Sequence, residues 1–183
     1  KGRGLEPAPT DHGPLTEGAA VTVPADAIWI DLFRPLESQR SAVEAFGVHV
    51  PTLEDMEEIE ISNRLFRDEH AEYLTVVIPG QSPAQEPVAG PVTFILAPER
   101  LITVRHHTPR PFETFPGRAD RGAAGCASPE RLFLSLAEVI VGRLADILEG
   151  AGRKLDEAAR CVLGGGGALV VATEALQCPT LLQ

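Results

Sequence analysis

Two apolar runs, VTFILA (Val92–Ala97) and LITVR (Leu101–Arg105), stand three residues apart across Pro98-Glu99-Arg100. Runs of this length, rich in β-branched residues and split by a short turn-forming spacer, read as an antiparallel hairpin. Neither run alternates apolar with polar, so both faces of the hairpin have to be covered. A sheet with such a centre is buried between two layers. The rest of the chain supplies candidates for both. AIWIDL (Ala27–Leu32) is a further strand with Trp29 for the core, and SNRLF with AEYLTVVIP, parted by the polar RDEH, is a second hairpin.

Three helices are expected around these strands. In PLESQRSAVEAFGV, Val43 and Phe46 share a face and Gly47 follows as a C-terminal cap. In PTLEDMEEIE, Thr52 precedes Asp55 by three residues, the capping-box spacing, and Glu54 and Asp55 fill the first turn. From Ser128 (cap) and Pro129, residues Leu132, Leu136, Val139, Ile140, Leu144, Ile147, Leu148 and Leu155 recur at helical spacing through Ala159. That is on the order of 30 residues and roughly 45 Å, with Gly142, Gly150 and Gly152 as points where it could bend. The fold class is α/β: a mixed β-sheet with hairpins sandwiched by helices (α/β/α), followed by a long C-terminal helical segment. The expected divisions are a flexible lead-in over 1–26, the sheet region over 27–127, the long helical part over 128–160, and a tail at 161–183. The Pro/Gly-rich stretch from Pro79 to Pro91 is expected to be an exposed loop, and HTPRPFETFPG to end the sheet region.

Charge narrows the function. Sixteen basic and 26 acidic residues leave a net charge of −10, which argues against nucleic acid and admits cations. Val162–Thr173 is too short and too Gly-rich to span a bilayer, which takes about 20 apolar residues. Cys126, Cys161 and Cys178 are odd in number and form no CxxC, which favours a reducing compartment. Lys1 is not a natural start, so a piece of a longer chain is expected. Glu54, Asp55, Glu57, Glu58 and Glu60 could lend one or two oxygens to a hydrated Mg²⁺, or serve as a cap and a solvated face. Adjacent His106 and His107 point to opposite faces of a strand and are read as a solvent-facing strand end; His49 is read as a packing or turn residue. Cys126 lacks a base, and GGGG at 164–167 is not followed by GK[ST]. No catalytic constellation stands out, and no organic cofactor or enzyme activity is expected.

Taken in order, Trp29-Ile30-Asp31-Leu32, Pro51-Thr52-Leu53-Glu54-Asp55-Met56, Ser62–Arg67, Val92–Ala97, Leu101–Arg105 and Pro109-Arg110-Pro111-Phe112 resemble the N-terminal cytosolic domain of the CorA family. These are divalent-cation channels and transporters, chiefly for Mg²⁺, with the zinc-handling ZntB branch as close kin. The resemblance runs from about Ala27 to Ala159. It implies a homopentamer in the full-length parent, on the cytoplasmic face of the inner membrane. It also implies a Gly-Met-Asn pore lying outside this chain, so that contact with the membrane is made only by segments absent here. The resemblance further implies regulatory Mg²⁺ held by carboxylates at subunit interfaces, with Asp55 and its neighbour Glu54 matching one position and Glu138 another. The expected function is the metal-sensing domain of a Mg²⁺ transporter. The alternatives are a ZntB-like zinc transporter domain and a stand-alone α/β interaction module.

Overall fold

A computed structural model of the chain describes residues 23–24, 26–58, 60, 64–119 and 128–163. The lead-in through residue 22, Cys126, the GGGG run and the tail beyond Leu163 lie outside them.

Five strands form one sheet in the order β1-β5-β4-β3-β2, where β1 is Trp29–Phe33, β2 Leu65–Arg67, β3 Glu72–Gln81, β4 Pro87–Ala97 and β5 Arg100–Arg105. The expected hairpins β2-β3 and β4-β5 form, in the registers Phe66↔Tyr73 and Ile95↔Ile102. β1 joins the edge in parallel with β5, Ile30 opposite Ile102, which makes the sheet mixed. Ile102, Val104 and Ile95 are buried towards one layer and Leu101 and Phe94 towards the other, so the central hairpin is covered on both faces.

The first layer is α1 (Glu37–Glu44) and α2 (Leu53–Glu58), whose Val43 and Met56 enter a cluster with Leu32, Tyr73, Ile95 and Ile102. Gly47 ends the α1 region at φ +85°, a conformation that disfavours side chains. The second layer is α3 (Arg110–Thr114), α4 (Pro116–Ala119) and α5 (Pro129–Leu163). Here Phe112, Leu132, Leu136 and Ile140 pack on Phe94 and Leu101. Ser128 Oγ caps α5 by accepting the Arg131 N–H at 3.3 Å.

Several expectations need correction. The stretch from Pro79 to Pro91 is mostly strand, since β3 and β4 pair from Glu72↔Leu96 to Gln81↔Pro87 around a short turn. Pro91 lies opposite Val77 and Pro79 opposite Ala89, while the bonded Ser82–Glu86 turn confines the loop. HTPRPFETFPG does not merely end the sheet, for it winds into α3 and α4. α5 runs as one helix of 35 residues through Gly142, Gly150 and Gly152. Leu148 and Leu155 are exposed rather than part of its core stripe.

His107 is not solvent-facing: it is 6% exposed, with Nε2 at 2.8 Å from the Ile78 carbonyl. Its ring fits only because two neighbours are glycine. A Cβ on Gly80 would meet its Cδ2 at 2.7 Å, and one on Gly90 its Nδ1 at 2.9 Å. Burial pushes the pKa of His107 down, which keeps the imidazole neutral with Nε2 as the donor. His106 is half-buried and its pKa is likewise lowered, first by burial and then by Arg34.

Candidate functional site

The acidic turn of α2 is placed by α1. Arg40 donates from Nε and Nη2 to the Val50 carbonyl at 3.3 and 3.1 Å, and Glu44 Oε1 accepts the Val50 N–H at 3.2 Å. Both polar groups of Val50 are thereby tied to one helix, and Thr52 follows two residues later. Thr52 Oγ1 accepts the Asp55 N–H at 3.1 Å, and the Asp55 carboxylate accepts the Thr52 N–H at 2.8 Å. This is the reciprocal capping pattern. The Thr52 hydroxyl also donates to Asp55 Oδ2 at 2.7 Å, and these bonds hold the Asp55 carboxyl below its usual range.

Asp55 therefore has a structural task, and both bonds from Thr52 fall on its Oδ2. Glu54 is exposed beside it, as are Glu57 and Glu58, while Met56 turns inward. Glu138 is exposed on α5, in a shallow groove shared with Arg110, Thr114, Arg143 and Asp146. Since α2 and α5 cover opposite faces of the sheet, Glu54 and Asp55 are not brought together with Glu138 within one chain. Among the described residues no group of three or more His, Cys, Asp or Glu converges on a point where an ion could sit. One chain thus presents the exposed carboxylates of α2 without a further ligand group converging on them among the described residues. That does not make an enclosed ion site.

A polar network on the α3/α5 side was not anticipated from the residues. Arg105 grips Asp31 through two nitrogens, with its Nη2 2.8 Å from Oδ2 and its Nε 3.1 Å from the same oxygen. Asp31 Oδ1 also accepts the Thr103 hydroxyl at 2.7 Å, and Thr103 Oγ1 accepts the Trp29 indole N–H at 3.1 Å. Arg105 Nη1 donates onward to the His107 carbonyl at 3.2 Å, and its guanidinium lies over the rings of Phe33 and Phe112. The network bolts the parallel strand β1 onto β5. The signal available was an Asp inside the apolar run AIWIDL and an Arg closing LITVR; their pairing depends on a parallel register that spacing does not reveal.

No described helix is long and apolar enough to cross a membrane. The family model described as CorA-like Mg²⁺ transporter protein matches residues 24–164. A magnesium transport protein CorA of Salmonella typhimurium is 28% identical over 141 residues, covering 76% of this chain and 45% of that protein. One from Haemophilus influenzae is 30% identical over 141 residues, 76% of this chain and 44% of its own length. The chain spans less than half the length of these curated relatives. The solved soluble domain of CorA from Methanocaldococcus jannaschii shares the fold, with a TM-score of 0.53 at 15% identity over 75% of this chain and 56% of that one. That family is one of transporters, not of enzymes. With the match spanning every described element from β1 to the end of α5, the chain belongs to the CorA-like Mg²⁺ transporter family.

Proposed function

We propose that this domain serves a divalent-cation transporter as its cytoplasmic, metal-sensing part, with Mg²⁺ as the ion and the permeation path in other segments of the parent protein. The observation that carries the reading is the coincidence of the family match with the whole described fold over residues 24–164. In this reading the parent is a pentamer on the inner membrane, and Mg²⁺ acts where subunits meet. Glu54 and Asp55 on one subunit would share a hydrated ion with a carboxylate of the next, Glu138 being the candidate on the α5 side. Because the two faces are separated by the sheet, a second subunit is required to complete the set. An ion there offsets the repulsion between acidic surfaces and favours the closed assembly, and its loss lets the subunits separate.

Limited proteolysis of the full-length parent, with and without Mg²⁺, tests this. Asp55→Asn keeps an oxygen for the Thr52 N–H and removes the charge, so Mg²⁺ protection should weaken while the domain's melting temperature stays nearly unchanged. Protection identical to the parent's would remove Asp55 from the sensing set. Replacing Mg²⁺ by Zn²⁺ in the same assay separates this reading from that of a zinc-handling relative.

A further inference from the structure

His106 carries a nitrogen that the fold leaves unmatched. Its Nε2 is shut off from water, yet it has no hydrogen-bond partner among the described residues. A buried polar atom in that condition is costly and calls for a cause. His106 follows Ile102 and Val104 at a spacing of two, on the face of the sheet that α1 and α2 cover. The charges around the ring come from three elements: Arg34 after β1, Arg40 on α1 and Glu57 on α2, with His107 next to it in the chain. Arg40 is already committed to the Val50 carbonyl and to Glu37. Arg34 is fixed by its N–H on the Arg105 carbonyl at 2.8 Å, and it sits at φ +50°, where glycine is favoured. Glu57 is the carboxylate of the group, and it belongs to a helix of only six residues. A neutral imidazole is tolerated in this setting. An imidazolium is not, because both its nitrogens donate and the buried Nε2–H would face no acceptor.

We propose that His106 is a proton-operated latch on α2: the uncharged ring stays under the cover of α1 and α2, and on taking up a proton it turns Nε2–H outward to Glu57 and loosens α2 from the sheet. Burial first, and then Arg34, push the pKa of His106 down. The opened form therefore binds the proton more readily, and opening gains as the pH falls through about 6.5. The effect registers at α2 because a helix with one buried anchor, Met56, lies at the low end of local stability. Neighbouring groups do not produce the same response. Asp55 is held below the usual carboxylate range and stays ionised throughout this window. His49 is exposed 3.8 Å from Glu44 and near Asp55, so its protonation adds attraction, the opposite sign. Every group invoked lies among the described residues, and the device does not depend on which ion the parent carries.

Amide exchange of the 183-residue chain at pH 7.5 and 5.5, read as protection factors, tests this together with an NMR titration of the His106 ring. Protection of residues 53–58 should fall several-fold on acidification in the unaltered chain and stay level in His106→Leu. Arg34→Gly suits the backbone at φ +50° and removes a positive charge. It should move the His106 midpoint and the loss of protection together to higher pH. Glu57→Gln should move both to lower pH. Protection at 53–58 that ignores pH, or that falls equally in His106→Leu, overturns the proposal. So does a His106 midpoint that neither Arg34→Gly nor Glu57→Gln moves. Should His106→Leu fail to fold, those two variants still decide the matter.

Discussion

The Arg105 side chain is 12% exposed, whereas Asp31, on the edge strand β1, keeps 26% of its side chain open to water and has Thr103 as its other side-chain partner. Removing one partner of such a pair costs more than the pair contributes, because the survivor keeps its desolvation penalty. Arg105→Ala should destabilise the domain by about 2 kcal/mol in urea unfolding, through the lost charge-assisted bonds to Asp31 and the lost packing on Phe33 and Phe112. Arg105→Lys should recover only part of that, since an ammonium cannot make the two-nitrogen grip. Equal stability of Arg105→Lys and the parent would mean that the grip is incidental. His107 makes a second prediction at this scale. Its folded pKa lies below the unfolded value of about 6.5, so the unfolded chain binds more protons once the pH drops into that range. Stability is complete above the unfolded value and falls as the pH drops through it towards the folded one, a window above the range of Asp55. Urea midpoints should therefore decline between pH 7.5 and 5.5, and decline less in His107→Gln. His106, with Arg34, Arg40 and Glu57 near it, contributes the remainder. The reading of His107 as a surface residue went astray for a physical reason. The room for its ring is made by Gly80 and Gly90 on two other strands, and no pattern local to residues 105–109 carries that information.

Helix α2 is only six residues long, too short to persist by its own hydrogen bonds, so it depends on its cap and on docking through Met56. Thr52→Ala removes the side-chain acceptor of the Asp55 N–H and should cost about 1 kcal/mol, with faster amide exchange confined to residues 53–58. Exchange unchanged there would show that Met56 alone holds the helix. Elements of this kind were legible from the residues, because a cap and a periodic face are local signals: Thr52 with Asp55, Ser128 with Pro129, Gly47 after α1. The central hairpin was legible for the same reason. The extent of β3 and β4 was not, since Pro79, Gly80, Gly90 and Pro91 look like a loop until the register shows Pro79 opposite Ala89 and Pro91 opposite Val77. Proline is tolerated where its missing N–H is not needed by the ladder. Leu148 and Leu155 misled in the opposite sense. Helical spacing identifies an apolar stripe but not which of two stripes meets the sheet.

For the molecule as a whole, the candidate metal residues were legible only as acidic positions on helices, and the function proposed for them places their partner on a neighbouring subunit. The two sets occupy opposite layers of the α/β/α sandwich, and Asp55 is already engaged by Thr52. An isolated chain therefore meets Mg²⁺ chiefly as a surface carrying a −10 charge, which any cation screens. Raising MgCl₂ should shift its melting temperature no further than NaCl at the same ionic strength once the weak effect of divalency is allowed for. The full-length assembly should instead respond in a saturable manner, because there the ion is bound by the native state alone and stabilises by mass action. Differential scanning calorimetry of both proteins across the same Mg²⁺ series makes the comparison. A saturable shift already present in the isolated chain, abolished by Asp55→Asn and untouched by Glu138→Gln, would mean that α2 alone holds the ion. The requirement for a second subunit would then be wrong.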